Sequence, residues 1–145
     1  MRRLHQSSDV SATEKLNQLG DEWAHKIAAA GEEKIIPNST YGQLVCSHLP
    51  GDDIVKACAV HWYSAIRFYD WADPKLTVKA SPFTQMVWKN NELAGVGIAR
   101  GYGENQGDVE KRSVVAGKIY IVVFLDPGQS AEAEIRENVL PAAGQ

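Results

Sequence analysis

The sequence predicts an α+β domain in which helices pack against a small antiparallel sheet. Two segments in the first half of the chain carry apolar residues at helical spacing, and three segments in the second half have strand-like composition. The 145 residues lie in the range of one compact domain, and 44% of them are hydrophobic against 23% charged. We therefore expect residues 1–145 to form a single folded domain.

The first predicted helix begins at a capping-box pattern, Ser11-Ala12-Thr13-Glu14, and ends at Gly31. Between these limits the apolar residues recur every three or four positions, at Leu16, Leu19, Trp23, Ile27 and Ala30. The pattern is typical of an amphipathic helix with one face in the core.

The second predicted helix follows a loop at Pro37 and Asn38, a short β-type segment from Gln43 to Ser47, and a turn at Pro50-Gly51-Asp52. It runs from Asp52 to a region near Asp70 to Pro74, and its apolar face consists of Ile54, Val55, Cys58, Ala59, Trp62, Tyr63 and Ile66. This helix is also expected to face the core.

Three strands are predicted in the second half: Phe83 to Lys89, Leu93 to Arg100 and Lys118 to Leu125. The Asn90-Asn91 pair is a turn that joins the first two, so we expect one antiparallel sheet of three strands. The glycine-rich stretch 101–108, extending to about Ala116, predicts an exposed and mobile connection.

Bulk properties exclude two classes of function. The net charge of -3 and the scattered basic residues argue against nucleic-acid binding, and no apolar run approaches the roughly 20 residues that cross a bilayer. Because the first residues lack the apolar segment of a signal peptide, we expect a cytoplasmic chain.

With only Cys46 and Cys58 present, the sequence favours two buried free thiols.

One cluster has the residue types of a zinc site: Cys46, His48, Cys58 and His61. The spacing is not that of a standard zinc motif, and core thiols with surface imidazoles are the favoured interpretation. A metal-dependent hydrolase using these four residues is kept as an alternative.

The glycines of Gly95-Val96-Gly97 superficially resemble a phosphate-binding loop, but they lie within a predicted strand rather than between a strand and a helix. We interpret them as sites of close backbone approach. No nucleophile elbow occurs, and the four histidines are interpreted as surface or hydrogen-bonded residues rather than catalysts.

Three segments carry a family resemblance. Phe83-Thr84-Gln85-Met86-Val87-Trp88-Lys89-Asn90, followed by Gly95-Val96-Gly97, resembles the signature of the CAP superfamily of cysteine-rich secretory, antigen and pathogenesis-related proteins, also called the SCP domain. Trp62-Tyr63-Ser64 resembles the helix before that signature, and Glu137 to Pro141 resembles the C-terminus of the Golgi-associated branch. The resemblance implies an α-β-α sandwich whose opening helix is missing here, which would uncover apolar surface.

The resemblance also implies a cleft with two histidines and two glutamates, and this chain matches none of them. The first histidine would precede Arg2, and the other three positions hold Gln43, Ala65 and Pro82. These residues offer neither a titratable group nor a metal ligand, so we expect no catalytic residue, no metal and no cofactor. Trp62, Tyr63 and Gln85 are the expected lining of the remaining groove.

The favoured function is therefore non-catalytic: a CAP-domain protein that binds lipid, sterol or a membrane-associated protein partner. Besides the metal-dependent hydrolase, a homodimerising scaffold is an alternative, in which the uncovered face pairs with a second copy. The expected location is cytoplasmic, with peripheral association at the Golgi or other membranes.

Overall fold

The architecture is an α-β-α sandwich, as the resemblance implies. A computed structural model of the chain describes residues 1–37, 39–51, 53–101, 117–129 and 131–142. Its helices are α1 (Glu14–Ala30), α2 (Ile54–Tyr63), α3 (Ser81–Val87) and α4 (Ile135–Asn138), and its strands are β1 (Ser11–Ala12), β2 (Gly42–His48), β3 (Leu93–Arg100) and β4 (Ile119–Asp126). Short 3-10 helices span Arg3–His5, Ser64–Phe68 and Glu132–Glu134.

The sheet has the order β1-β3-β4-β2. Strand β4 lies at the centre and pairs antiparallel with both β2 and β3, whereas β1 adds a two-residue parallel bridge to β3. The predicted three-stranded sheet is thus wrong in two respects: residues 83–89 are not a strand beside β3, and β1 and β2 are the strands that pair with β3 and β4.

Residues 83–89 do not form a strand; most of them belong to α3. Pro82 occupies the first turn of that helix, where its missing N–H has no intrahelical partner to lose. Seven residues are too few for periodicity to separate a buried helix from a buried strand, and the β-branched Thr84 and Val87 biased the prediction towards a strand.

Helix α1 covers one face of the sheet. It begins at Thr13, whose hydroxyl accepts a hydrogen bond from the backbone N–H of Leu16, so the cap lies two residues beyond the predicted Ser11. Ser11 instead bridges to Leu93. The helix ends at Gly31 as predicted, with a φ of 69° that suits glycine. Its core partners on the sheet include Ala99, Tyr120, Val122 and Phe124.

The glycines of β3 allow α1 to lie directly on the sheet. A Cβ at Gly95 would overlap the backbone of Leu16, and one at Gly97 would overlap the backbone of Gly20 and Asp21. The interpretation of these glycines as close-approach sites is confirmed, and no phosphate loop is formed.

Helices α2 and α3 cover the opposite face. Helix α2 is capped by Asp53, whose carboxylate accepts from the N–H of Lys56, and the following 3-10 helix ends at Phe68, slightly earlier than predicted. Cys58 and Trp62 of α2 pack on Leu44, Ile121 and Leu125 of the sheet.

Within the described residues, no helix is both long and apolar enough to cross a membrane. Of the predicted mobile connection only Gly101 is described, and it is buried; the rest lies outside the described residues.

Candidate functional site

Gln43, Trp62 and Pro82 line one groove beside strand β2. This β2 groove has a volume of about 360 Å³ and is bounded by Glu33, Lys34, Ile35, Gln43, Leu44, Val45, Trp62, Val78, Ser81 and Pro82. It thus brings together Gln43 and Pro82, two of the three positions that the resemblance matches to the family's cleft, with Trp62 of α2 facing the sheet.

The polar atoms of Gln43 are used within the fold. Its Oε1 accepts from the N–H of Ile36 at 2.7 Å, and its Nε2 donates to the carbonyl of Ile36 at 2.9 Å. The side chain therefore fastens the segment after α1 to β2. An amide in this role has no proton to transfer near neutral pH.

The ionisable groups of the β2 groove are likewise engaged. Glu33 Oε1 accepts from both the N–H and the hydroxyl of Ser47 at 2.6 Å, and Lys34 pairs with Glu32 at 2.6 Å. Trp62 Nε1 donates to the carbonyl of Val45 at 3.0 Å. The ionisable groups of the groove are therefore paired with neighbouring residues, and Ser47, whose hydroxyl donates to Glu33, is not among the residues that line the groove.

Ala65 lies apart from the β2 groove. It is buried in an apolar cluster with Phe83, Val87 and Trp88, so a charged side chain at this position would need a partner that this cluster lacks. The position that the resemblance predicts to match the family's second glutamate is therefore part of the core here.

Tyr63 and Gln85 also lie outside the lining of the β2 groove. Gln85 is buried, and its Oε1 accepts from the N–H of Gln129 at 2.9 Å, while its backbone carbonyl accepts from Asn91 Nδ2 at 2.9 Å. Gln85 thus braces the turn after β4 against α3.

Tyr63 is hydrogen-bonded to a buried histidine. The Tyr63 hydroxyl lies 2.6 Å from His5 Nε2, and His5 Nδ1 lies 2.7 Å from the carbonyl of Leu140. A carbonyl only accepts, so Nδ1 carries the proton and Nε2 accepts from Tyr63. His5 therefore joins the two ends of the chain to α2, in agreement with its interpretation as a satisfied histidine.

The alternative of a zinc site at Cys46, His48, Cys58 and His61 is not supported, because Cys46 and Cys58 form a disulfide with their Cα atoms 5.8 Å apart. The expectation of two free thiols is therefore wrong: β2 and α2 pack so closely that the two side chains meet, which sequence spacing cannot reveal. His48 Nδ1 is 2.8 Å from the carbonyl of Leu49. No group of three or more metal-ligating side chains occurs among the described residues.

We expect the disulfide to contribute about 2–4 kcal/mol to the free energy of unfolding, because it closes a loop between residues 12 apart in sequence. Urea unfolding of the oxidised protein, the reduced protein and the C46A/C58A variant measures this. The two forms without the bond should unfold at similar, lower urea concentrations. Two titratable thiols in the unfolded, unreduced protein would contradict the bond.

A second groove lies on the α2 side of the sheet, where α2 leaves part of the face uncovered. This apolar groove has a volume of about 210 Å³ and is lined by Arg2, Val10, Leu44, Trp62, Met86, Ala94, Val96, Val123 and Leu125. Val96 and Val123 are cross-strand neighbours at its floor, and Val96 is 44% exposed. Ile98, the next residue on this face, is 45% exposed.

The apolar groove was not predicted from the sequence. The pattern that could have indicated it lies in β3, where Ala94, Val96 and Ile98 alternate with Gly95, Gly97 and Ala99, so that neither face of the strand is polar. Among the described residues, α1 covers the glycine face, whereas α2, α3 and the N-terminal segment cover only part of the other face.

Comparison with known proteins yields the same family as the motifs. The family model described as CAP, cysteine-rich secretory protein family, matches residues 1–124. The human Golgi-associated plant pathogenesis-related protein 1 is 29% identical over 146 residues, which cover 97% of this chain and 85% of that protein. Protein PRY2 of Saccharomyces cerevisiae is 30% identical over 82 residues, which cover 57% of this chain but only 21% of the yeast protein.

Among solved structures, that of MpPR-1i superposes with a TM-score of 0.63 over 92% of this chain and 84% of its own length. Its sequence identity is 14%, so the likeness concerns the fold alone.

Proposed function

Because this chain belongs to the cysteine-rich secretory protein family, CAP, we propose that it is a non-catalytic binding protein that associates with lipid or sterol. The contact is made through the apolar groove rather than the β2 groove. The observation that carries this proposal is an uncovered strip of the sheet, floored by Val96 and Val123 and extended by Ile98.

The apolar groove suits a hydrocarbon ligand. Its only charged lining residue among those described is Arg2, and the Arg2 guanidinium donates to four backbone carbonyls. Exposed apolar surface of this kind is unfavourable in water, and each buried methylene of a ligand gains about 0.8 kcal/mol. An acyl chain or a sterol ring edge is therefore its natural occupant.

The β2 groove supports the non-catalytic part of the proposal. General acid/base catalysis requires a titratable group within reach of substrate, and Gln43 and Pro82 have none. The titratable residues that do line this groove, Glu33 and Lys34, are exposed and paired with Ser47 and Glu32. With Cys46 and Cys58 in a disulfide, the metal-dependent hydrolase also loses the two thiolates it required.

We predict that Val96→Lys weakens binding to phosphatidylcholine–cholesterol vesicles by about tenfold or more, since a charged head would have to enter hydrocarbon. Co-sedimentation and radiolabelled-sterol binding measure this. Zwitterionic vesicles are used so that the added charge cannot attract the membrane.

The matched control is Val60→Lys. Val60 is 50% exposed on α2, close to the 44% of Val96, but does not line the apolar groove. Binding by this variant should equal that of the parent. Equal losses in both variants, or no sterol or vesicle binding by the parent, would refute the proposal.

The same variants distinguish the alternative function, a homodimerising scaffold, from lipid binding. If a second copy covers the apolar groove, light scattering should show a concentration-dependent dimer that V96K disrupts. A monomer that binds vesicles supports lipid association instead.

We propose further that the protein acts at a membrane surface within an oxidising compartment. The human relative's name associates that protein with the Golgi, and the disulfide supports a luminal rather than cytoplasmic environment. The thiol titration described above, made on protein isolated from its native cells under alkylation, distinguishes the two compartments.

A further inference from the structure

A third cavity, separate from both grooves, lies against the C-terminal segment. This Tyr69 pocket has a volume of about 350 Å³ and is lined by Tyr69, Trp71, Pro74, Arg136, Val139, Leu140 and Pro141. It shares no residue with the β2 groove or the apolar groove, so it is independent of the proposed function.

The Tyr69 hydroxyl is the polar group that marks this cavity. Tyr69 is only 6% exposed, and its oxygen has no hydrogen-bond partner among the described residues. Buried polar atoms in folded proteins are nearly always paired with protein, water or ligand. Because Tyr69 also lines the cavity, its buried and unpaired hydroxyl points to a polar group that enters from outside.

The charge in the pocket is positive. Arg136 is its only charged lining residue among those described, and no described carboxylate lines it. Burial raises the pKa of the Tyr69 phenol, and the positive charge of Arg136 partly opposes this. The phenol therefore keeps its proton near neutral pH, and the hydroxyl and the guanidinium both donate hydrogen bonds.

The remaining lining is apolar and presents flat surfaces. The Trp71 ring, 40% exposed, packs edge-on against Tyr69 with ring centroids 4.7 Å apart. Pro74, Val139 and Pro141 supply the other apolar walls. Leu140 is held in place because its carbonyl accepts from His5 Nδ1 at 2.7 Å, and the His5 ring lies parallel to Trp71 at 6.3 Å. The walls are thus fixed by contacts that exist without a ligand.

We propose that the Tyr69 pocket binds a small organic carboxylate with a flat apolar body. Arg136 and the Tyr69 hydroxyl donate to the carboxylate oxygens, and the body packs on Trp71 and the proline side chains. An anion with two oxygens matches the two donors, since charged hydrogen bonds to guanidinium are among the stronger polar contacts in proteins.

The test titrates the whole chain with 2-naphthoate and, separately, with its neutral analogue 2-naphthamide. Calorimetry measures affinity, and the indole N–H resonance of Trp71 reports the place of binding. The carboxylate should bind saturably with a shift at Trp71, and the amide should bind at least about tenfold more weakly. Equal affinity for the two compounds, or no shift at Trp71, would overturn the proposal.

Two variants assign the donors. Arg136→Gln should weaken 2-naphthoate binding about tenfold, whereas Arg67→Gln should leave it within about twofold. Arg67 is a suitable control because it is an exposed arginine, stacked on Phe68 and absent from the pocket lining. If both changes weakened binding equally, affinity would depend on the net charge of the protein alone, and the proposed site would be rejected.

Tyr69→Phe separates binding from folding. Removing an unpaired buried hydroxyl should leave the melting temperature of the free protein unchanged or raise it, because no hydrogen bond is lost. The same change should weaken 2-naphthoate binding about threefold or more. Lower stability with unaltered affinity would show that the hydroxyl serves the fold alone. V96K should bind 2-naphthoate normally, so failure of either site can be recognised separately.

Discussion

Replacing Gly97 with alanine is expected to lower the melting temperature by at least about 10 °C or to prevent folding altogether. The added methyl group would overlap the Gly20 carbonyl and the Asp21 amide. These are backbone atoms, so they cannot rotate away as the end of a side chain could. Relief requires α1 to move off the sheet, which would open the cluster of Leu16, Tyr120 and Phe124. We expect a loss of about 4 kcal/mol or more.

Gly51→Ala is the matched control for this change. A Cβ at Gly51 would meet only the carbonyl oxygen of Leu49 at 4.0 Å. Thermal unfolding followed by circular dichroism should show this variant within a few degrees of the parent. A folded G97A protein with an equally small change would contradict the close packing of α1 on β3.

The second large effect is expected at Arg2. Its Nε donates to the carbonyl of Ser8 at 2.7 Å, and its two terminal nitrogens donate to the carbonyls of Met86, Trp88 and Asn91 at 2.9–3.0 Å. Two of these acceptors lie at the C-terminal end of α3, where backbone carbonyls lack helical partners and favour a cation. Burial lowers the pKa of Arg2, against the opposing charge of Asp9, but an arginine so placed stays protonated near neutral pH.

We predict that Arg2→Met lowers the free energy of unfolding by about 3 kcal/mol, because it leaves several partly buried carbonyls without a donor. Urea unfolding measures this loss. Arg3→Met is the control: Arg3 pairs with Asp9 on the exposed surface, and such pairs contribute about 0–1 kcal/mol. Comparable losses at the two positions would contradict the anchoring role of Arg2.

Much of the fold could be predicted from the sequence where one period dominates. Helix α1 has one apolar face and a glycine at its end, and β3 and β4 follow the predicted limits closely. Helix α3 lacks an amphipathic signal, because four of its seven residues are buried and none is exposed, and its sequence therefore predicts a strand. Pro82 was the available clue, since proline is favoured in the first helical turn.

The candidate sites were less predictable because they join residues far apart in sequence. The motifs identified Gln43, Ala65 and Pro82 as positions to examine, but not that Ala65 would lie in a different cluster from the other two. The contact of His5 with Leu140 spans 135 residues, and the Cys46–Cys58 disulfide depends on the packing of α2 on β2. Such contacts follow from tertiary packing, which local pattern does not encode.

The apolar groove also depends on tertiary packing that the strand pattern does not encode. Residues 93–99 are consistent with a strand buried on both faces, and only the packing of the helices reveals that Val96 and Ile98 remain exposed. A strand pattern therefore predicts what can be buried, while the positions of the helices decide what is left for a ligand.

Lipid binding is expected on the uncovered sheet face and not in the β2 groove. Backbone amide NMR in nanodiscs of phosphatidylcholine and cholesterol that contain a spin-labelled lipid tests it directly. We predict paramagnetic broadening centred on the amides of Val96, Ile98 and Val123. Broadening centred on Gln43 and Ser81 in the β2 groove, with Val96 unaffected, would contradict the claim.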